Sequence, residues 1–329
     1  MSKRSARHRV IHTASPALRL VYLGTPEFAV PALRALARTR HTLSGVVSQP
    51  DRPRGRGRVL EPTPVAAAAR ELGLPLLQPE KVGDEPSLAW LRERRPDLGV
   101  VVAFGQFIPK SVRELPRLEC VNAHASLLPR WRGAAPIAWA IDAGDRRTGI
   151  SVMRVAREMD AGDVCAVREL EIGAEETAGE LAERLAELAA AALVEAVDAL
   201  ADGRAHFAPQ DPAAVTLAPK LDRAFAKLDL AQPAERVLRR IRAATPRPGV
   251  DLALRRAGKT LRIVRARLGP THSGVRSGAL RAEAGRLELA CADAWLELAE
   301  VQLAGKRALP AAELLRGFRV APDERAEAA

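Results

Sequence analysis

The chain has 329 residues, of which 47% are hydrophobic and 28% are charged. This composition is typical of a folded globular protein, the length suits two domains, and a disordered chain is excluded. No run of about 20 apolar residues is present, so a transmembrane helix is not expected. The three cysteines, Cys120, Cys165 and Cys291, are far apart and odd in number. They argue against a disulfide framework or a cysteine-based metal site, and they indicate a reducing compartment, so we expect a cytoplasmic protein.

The formal net charge of +11 is distributed unevenly along the chain. Residues 1–60 hold twelve Lys and Arg against two acidic residues, and residues 206–276 hold fifteen against five. Between them, residues 151–205 hold five Arg against thirteen acidic residues. Two basic zones on either side of an acidic zone indicate a surface that binds a polyanion such as nucleic acid from two sides. An Arg-rich genome would produce a similar excess, so charge alone leaves both interpretations open.

The first third of the chain alternates predicted strands and helices. Apolar strands are expected at 18–26, 42–49, 74–78 and 97–106, and helices at 26–38 and 64–73. The last of these strands is a continuous β-branched run, which is typical of a parallel strand buried on both faces. This alternation predicts right-handed βαβ units in a doubly wound, mostly parallel α/β sheet. The turn after the first strand lacks the Gly-x-Gly-x-x-Gly pattern, so a dinucleotide is not expected.

The rest of the chain indicates a second domain of a different class. Two strands joined by a loop at 156–163 are followed by a long helix, which begins with a Thr-x-x-Glu capping box at 177–180. The segment 205–220 holds three prolines and no periodic pattern, so it is interpreted as an interdomain linker. Beyond it, a helix near 233–244 and short alternating strands predict a small, OB-like β-barrel. We expect the tail after Pro322 to be frayed.

The segment "CVNAHASLLPRWRGAAP", residues 120–136, contains the first candidate catalytic residues. Residues two apart in a strand point the same way, so Asn122 and His124 face one side at the carboxyl end of a strand. Open α/β sheets bind their ligands at that end. An amide donor beside an imidazole suits acyl-group chemistry, because the amide stabilises an oxyanion while the imidazole moves a proton. The alternative is a structural histidine at a strand end.

A carboxylate in a later loop strengthens the catalytic interpretation. Asp160 lies in "REMDAGDV", on a tight turn between the two predicted strands. From there it is able to orient an imidazole or to accept an amine proton through water. Nucleophilic chemistry at Ser126 is less favoured, because the residue is not in a Gly-x-Ser-x-Gly elbow.

Several stretches resemble the methionyl-tRNA formyltransferase family, a branch of the formyltetrahydrofolate-dependent formyltransferase superfamily. The Asn-x-His pair and the aspartate are shared across the superfamily, whereas "LLPRWRGAAPI" and "QPDRPRGRGRVLEPTPV" are more specific. "YLGTPEFAVPAL", "FGQFIPK" and "VTLAPKL" also match. The resemblance covers most of residues 18–250 and is weak beyond them.

The resemblance implies transfer of a formyl group from 10-formyltetrahydrofolate to the α-amino group of methionine on initiator tRNA. Asn122 would place the substrate and bind the oxyanion, and His124 would donate to that oxyanion and assist departure of the folate nitrogen. Asp160 would keep His124 protonated or relay the amine proton. The folate site would be lined, mostly by backbone groups, by Ser126, Leu127, Leu128 and Pro129. No metal is required.

An arginine-rich loop is the candidate tRNA contact in the first domain. The forked guanidinium group of arginine binds phosphate with two hydrogen bonds. Four arginines occupy alternate positions of this loop: Arg52, Arg54, Arg56 and Arg58. A solvated basic loop is the alternative. The resemblance implies that this loop reaches the acceptor end of the tRNA and that Arg56 is the arginine most closely tied to that role. It also implies that Lys220, in "APKL", lies close to the tRNA.

The resemblance also divides the chain. Residues 1–17 would be a basic, disordered extension, with a transit peptide as the alternative, and residues 18–204 the formyltransferase domain. Residues 205–220 would be the linker and 221–329 the tRNA-binding barrel. Ten of its cations are candidates to follow the phosphate backbone: Arg236, Arg239, Arg240, Arg242, Arg247, Arg255, Arg256, Lys259, Arg262 and Arg265.

Three rival functions remain open from the sequence. The enzyme alternatives are a formyltransferase acting on a small amine, such as a glycinamide nucleotide or an amino sugar, and a formyltetrahydrofolate hydrolase. These would need the Asn, His and Asp but neither the arginine-rich loop nor a basic second domain. The third is a tRNA-binding protein without catalysis, which would have no use for the three side chains. No heptad or exposed apolar stripe is evident, so a monomer is expected.

Overall fold

The structure is a computed structural model that describes residues 16–54 and 59–329. Most of the basic extension at 1–17 therefore lies outside the described residues, as do Arg56 and Arg58. The first domain contains, in chain order, β1 (Arg19–Gly24), α1 (Val30–Leu36), β2 (Thr42–Val47), β3 (Arg52–Arg54), β4 (Val59–Glu61), α2 (Pro64–Glu71), β5 (Leu76–Leu77), α3 (Glu85–Glu93), β6 (Leu98–Val102), α4 (Lys110–Arg113), β7 (Cys120–His124), β8 (Arg132–Gly133), α5 (Pro136–Ala143), β9 (Arg147–Arg154), β10 (Val164–Glu171), α6 (Ala178–Ala201) and β11 (Leu217–Ala218).

The main sheet of the first domain has seven strands in the order β10-β9-β7-β6-β1-β2-β5. Five of them, from β7 to β5, run parallel; β9 is antiparallel to β7, and β10 is antiparallel to β9. The chain passes from β1 outwards to β2 and β5, then returns to the other side of β1 with β6 and β7. The topological switch point, where such sheets bind ligands, lies between β1 and β6. The predicted doubly wound sheet is confirmed.

Two separate clusters of buried residues cover the two faces of this sheet. Leu33 of α1 and Leu193 of α6 belong to the larger cluster, and Leu91 of α3 to the smaller one. Along β7, Val121 and Ala123 face the larger cluster, whereas Cys120 belongs to the smaller one. Because side chains of a strand alternate between faces, Asn122 and His124 share the face of Cys120.

The second domain is a curled antiparallel sheet, which confirms the predicted small barrel. Its elements are α7 (Ala234–Ala244), β12 (Val250–Leu254), β13 (Lys259–Thr271), β14 (Leu280–Glu283), β15 (Arg286–Ala290), β16 (Ala294–Leu303), β17 (Leu309–Pro310), α8 (Ala311–Leu314) and β18 (Ala326–Ala328). The strand order is β14-β15-β16-β13-β12-β18, with β17 paired to β16. A bridge between Ala279 and Arg325 joins the two ends of this order.

The expectation of a frayed tail after Pro322 is wrong, because the tail completes the barrel. The backbone N–H of Ala326 donates to the carbonyl of Gly278 at 2.8 Å. The carboxylate of Glu324 is buried and accepts from the backbone N–H groups of Arg256 and Ala257, at 2.9 Å each. These bonds satisfy backbone donors that a free tail would leave to solvent.

Helix α7 joins the barrel to the first domain. It packs against α5 on one side and against β13 and β16 on the other. Arg240 donates to both carboxylate oxygens of Asp142 in α5, at 2.7 and 2.9 Å, and Arg236 is 3.2 Å from the same carboxylate. Asp142 is only 2% exposed. Arg242 donates to the carbonyls of Gly173 and Glu176, at 2.7 and 2.9 Å.

These contacts revise part of the charge interpretation. The prediction that Arg240 and Arg242 follow a phosphate backbone is wrong, because their donors are directed into the contact between the two domains. Arg265 of the barrel also pairs with Glu180, and Arg267 with Glu175 at 3.0 Å, so barrel cations neutralise acidic residues at the start of α6.

Replacing Asp142 with asparagine should destabilise the protein strongly, because it leaves Arg236 and Arg240 beside a neutral group inside the interface. We expect a loss of about 3 kcal/mol in the free energy of unfolding, measured by urea denaturation. As a control, Glu169→Gln removes the carboxylate of an exposed ion pair with Arg147. It should cause no measurable change in the free energy of unfolding. Equal small effects of both substitutions would contradict the structural role of Asp142.

Candidate active site

Strand β7 presents Asn122 and His124 beside the switch point of the sheet. Asn122 lies opposite Val101 of β6, and His124 lies opposite Ser151 of β9. The amide of Asn122 is half-buried and has no hydrogen-bond partner in the described part of the chain. His124 is 6% exposed. The strand therefore offers one amide that is available to a ligand next to one enclosed imidazole.

Both ring nitrogens of His124 have protein partners. Nε2 lies 2.8 Å from the carbonyl oxygen of Trp131, and Nδ1 lies 3.5 Å from Oδ2 of Asp160. A carbonyl and a carboxylate only accept hydrogen bonds, so both contacts are satisfied together when both ring nitrogens carry hydrogen. His124 is therefore enclosed between two acceptor groups, one on each side of the ring.

Asp160 is held in a turn with unusual backbone geometry. Its φ of 53° is in the left-handed region, which is unfavourable for residues other than glycine, asparagine and aspartate. The carboxylate Oδ2 accepts from the backbone N–H of Gly133 at 2.9 Å. A Cβ on the nearby Gly162 would overlap the carbonyl oxygen of Arg154, so the turn packs closely onto β9. The structure therefore brings Asp160 to His124 across a long separation in the chain.

The loop after β7 is fixed by the predicted linker. Strand β8 pairs in parallel with β11, which lies within residues 205–220. The backbone N–H of Trp131 donates to Oγ1 of Thr216, and that of Arg132 to the carbonyl of Thr216, at 2.9 Å each. Gly133 has a φ of 126°, and a Cβ there would lie 2.6 Å from the carbonyl of Ala218. Only glycine suits this close approach.

The candidate folate turn is pinned to β9 by one buried hydroxyl. Oγ of Ser151 donates to the carbonyl of Ser126 at 2.8 Å and accepts from the backbone N–H of Leu128 at 3.1 Å. The hydroxyl of Ser126 is itself buried and donates to the carbonyl of Arg130 at 2.6 Å. Leu127, Leu128 and Pro129 are half-buried. The turn thus presents mainly side chains, because the Leu128 N–H and the carbonyl oxygens of Ser126, Leu127 and Pro129 already have partners in the protein.

The arginine-rich loop is described only in part. Strands β3 and β4 form a short hairpin, and the exposed Arg52 donates to Glu80 at 2.9 Å. The side chain of Arg54 lies outside the described residues, together with Arg56 and Arg58. Lys220 is exposed, two residues after β11 and therefore near the loop that follows β7.

The thiols are poorly suited to nucleophilic catalysis. Burial raises the pKa of Cys120 to about 12, that of Cys165 to about 11 and that of Cys291 to about 12. A thiol with such a pKa holds little thiolate at neutral pH. Within residues 16–54 and 59–329, no three His, Cys, Asp or Glu side chains are grouped as metal ligands.

In the described part of the chain, no helix is both long enough and apolar enough to cross a membrane.

Comparison with known proteins decides the family. The model described as Formyl transferase matches residues 18–197, and Formyl transferase, C-terminal domain, matches residues 220–319. The methionyl-tRNA formyltransferase of Acidobacterium capsulatum is 43% identical over 310 residues, which are 94% of this chain and 99% of the relative. That of Xanthomonas campestris pv. campestris is 44% identical over 307 residues, covering 93% and 99%. The chain belongs to the methionyl-tRNA formyltransferase family.

The fold of this formyltransferase is also found in solved structures. HypX from Aquifex aeolicus, in complex with tetrahydrofolic acid, matches with a TM-score of 0.62 at 19% identity, over 91% of this chain and 47% of that chain. At this identity the likeness establishes the fold alone. The resemblance noted in the sequence and the prediction of a formyltransferase enzyme are confirmed by the family matches.

Sequence reasoning did not find three residues that shape the candidate site. Ser151 was detectable in principle, since it is a hydroxyl in the apolar strand "GISVM" and such buried polar groups are usually hydrogen-bonded. Thr216 and Gln210 lie in a segment with no periodic pattern, and nothing local in the sequence indicates their partners.

Substituting Ser151 with alanine should loosen the turn at 126–129, because a backbone carbonyl and an N–H lose their partner. We expect the free energy of unfolding to fall by about 1–3 kcal/mol in urea denaturation. Thr148 provides a matched control on the same strand, since its buried hydroxyl has no hydrogen-bond partner among the described residues. Thr148→Val should leave stability unchanged or raise it, and a loss equal to that of Ser151→Ala would contradict this account.

Proposed function

We propose that the protein transfers the formyl group of 10-formyltetrahydrofolate to the α-amino group of methionine on initiator tRNA, for translation initiation. The observation that carries the proposal is the site on β7. The Asn122 amide, which has no partner among the described residues, lies on the same strand face as His124, whose ring contacts Asp160. Relatives that share 43–44% identity over nearly their whole length are named methionyl-tRNA formyltransferase.

The reaction needs positioned polar groups rather than a covalent intermediate. The methionyl amine attacks the formyl carbon, a nitrogen–carbon bond forms, and a tetrahedral oxyanion develops. When that intermediate collapses, the bond to folate N10 breaks, N10 gains a proton and the amine loses one. In this proposal the Asn122 amide donates to the oxyanion, an interaction that strengthens as negative charge develops.

His124 is proposed to supply the hydrogen that the oxyanion and then folate N10 require. Its Nε2 is bonded to the carbonyl of Trp131, so substrate must take the place of that carbonyl for the transfer. Asp160, 3.5 Å from Nδ1, would favour the protonated ring and relay the proton released by the amine. In this proposal Nε2 of His124 serves the substrate, and Nδ1 faces Asp160.

Substrate binding is assigned to the surroundings of this site. We propose that Ser126, Leu127, Leu128 and Pro129 line the folate site. The tRNA is proposed to contact Arg52, Arg54, Arg56, Arg58 and Lys220. The domains proposed for these tasks are 18–204 for catalysis and 221–329 for tRNA binding, joined by 205–220. We propose that the protein acts as a monomer in the cytoplasm, where both substrates are present.

The decisive experiment offers the purified chain 10-formyltetrahydrofolate with methionyl initiator tRNA and, separately, with free methionine or a small-molecule amine. Formylation of the tRNA-bound amino acid alone is expected. Formylation of small amines instead would replace the tRNA proposal with the small-amine alternative. Hydrolysis of the folate without any acceptor would indicate a hydrolase. Binding of tRNA without turnover would remove the enzymatic proposal.

Replacing His124 with alanine should lower the rate of formyl transfer by at least about 100-fold, because the proton donor is lost. Steady-state formylation of methionyl-tRNA measures this effect, and circular dichroism checks that the variant is folded. His206 is exposed and lies outside the site, so His206→Ala is the matched control and should retain full activity. A His124→Ala variant with near-normal turnover would remove His124 from the mechanism.

Replacing Arg56 with alanine should raise KM for methionyl-tRNA while KM for the folate stays unchanged. The same substitution should reduce the slope of log binding constant against log salt by about 1, because one phosphate contact is lost. Filter binding of tRNA at several salt concentrations measures the slope. If KM for the two substrates rises equally, the arginine-rich loop does not have the role assigned to it.

A further inference from the structure

Gln210, in the segment between the two domains, contacts the turn that holds Asp160. Its side-chain Nε2 donates to the carbonyl oxygens of Asp160 and Gly162, at 2.8 Å each. Its Oε1 accepts two bonds from the guanidinium group of Arg132, at 3.0 and 2.8 Å. A single amide therefore links the loop after β7 to the turn between β9 and β10.

The hydrogen-bonding capacity of this amide is fully used. A glutamine amide has two N–H donors and one oxygen with two acceptor positions. The two carbonyls only accept and the guanidinium only donates, so the orientation of the Gln210 amide is fixed by its partners. Glutamate of the same size would keep the bonds from Arg132 but would offer no hydrogen to either carbonyl.

The turn at 160–162 requires such a restraint. Asp160 has a left-handed backbone, which aspartate adopts more readily than most residues but which surrounding contacts still stabilise. The two carbonyls that flank Ala161 converge on one Nε2, which closes the turn. The same turn directs Oδ2 of Asp160 to the Gly133 N–H and to Nδ1 of His124. The position of the carboxylate therefore depends on where the backbone of the turn is held.

We propose that Gln210 is a positioning residue for formyl transfer, acting through Asp160 on His124. This inference rests on the proposed function. Gln210 is not needed to attach the linker itself, because Thr216 and the pairing of β8 with β11 already bind that segment to the first domain. Loss of the Gln210 donor should thus displace the Asp160 turn while the linker stays in place.

The test is the substitution Gln210→Glu, which removes the donor and keeps the acceptor for Arg132. In single-turnover formylation of methionyl-tRNA with enzyme in excess, we expect the rate to fall about 10- to 100-fold, because small displacements of catalytic groups have effects of this size. Binding of folate and of tRNA should change little. Gln106→Glu is the matched control, since that amide also donates to a carbonyl, that of Pro79, and accepts a hydrogen bond, from the N–H of Val82, and neither partner is assigned to the site.

A double-mutant cycle with Asp160 separates positioning from general stabilisation. If Gln210 acts through Asp160, then Gln210→Glu should cause no further loss of rate in an Asp160→Asn background. A full additional loss in that background, or a normal rate of Gln210→Glu in the native background, would overturn the inference. Absence of formylation by the unsubstituted chain would instead count against the proposed function.

The neutral variant Gln210→Met covers the case in which the new carboxylate of Gln210→Glu prevents folding. It also removes the donor to both carbonyls, so it should show the same loss of rate and the same dependence on Asp160. Thermal unfolding of each variant shows at which temperature all variants are folded. Their formylation rates are compared at that temperature. An equally active Gln210→Met would overturn the inference as well.

Discussion

The short pairing of β8 with β11 is the contact on which the candidate site depends. It joins Arg132 to Leu217 and Gly133 to Ala218, so the segment that leads to the barrel becomes part of the wall of the site. The Gly133 N–H then reaches the carboxylate of Asp160. This pairing supports the loop after β7 together with the Gln210 amide, and both help to hold the loop against the turn that carries Asp160.

Part of the positive charge along the chain serves the contact between the two domains. Some barrel arginines, such as Arg240 and Arg242, bind groups of the first domain, and Arg265 pairs with Glu180 of the acidic helix. The pairing of Arg240 with the buried carboxylate of Asp142 helps to fix the relative position of the two domains, because an unpaired charge in the interface is unfavourable. A linear charge profile cannot distinguish such pairs from cations that bind phosphate, since both produce the same excess in sequence.

Much of the fold and the candidate pair on β7, Asn122 and His124, could be predicted, because local patterns carry them. The alternation of Val121, Asn122, Ala123 and His124 gives one buried face and one polar face in any strand. The capping box at 177–180 likewise depends only on neighbours in the chain. Gln210 could not be predicted, because its role depends on Arg132 and Asp160, which are distant in sequence. The same holds for Glu324 in the tail.

The sequence by itself determined most strands of the main sheet, the long helix α6, the family and the residue types available for catalysis, since these follow from periodicity, capping and motifs. Helices α3 and α5 were not predicted and are seen only in the structure. Only the tertiary structure decided that the imidazole of His124 is enclosed between Trp131 and Asp160 while the amide of Asn122 has no partner among the described residues. It also decided which arginines hold the domains together. The physical reason is that hydrogen-bond partners are selected by proximity in space, and proximity between distant segments arises from packing of the whole chain.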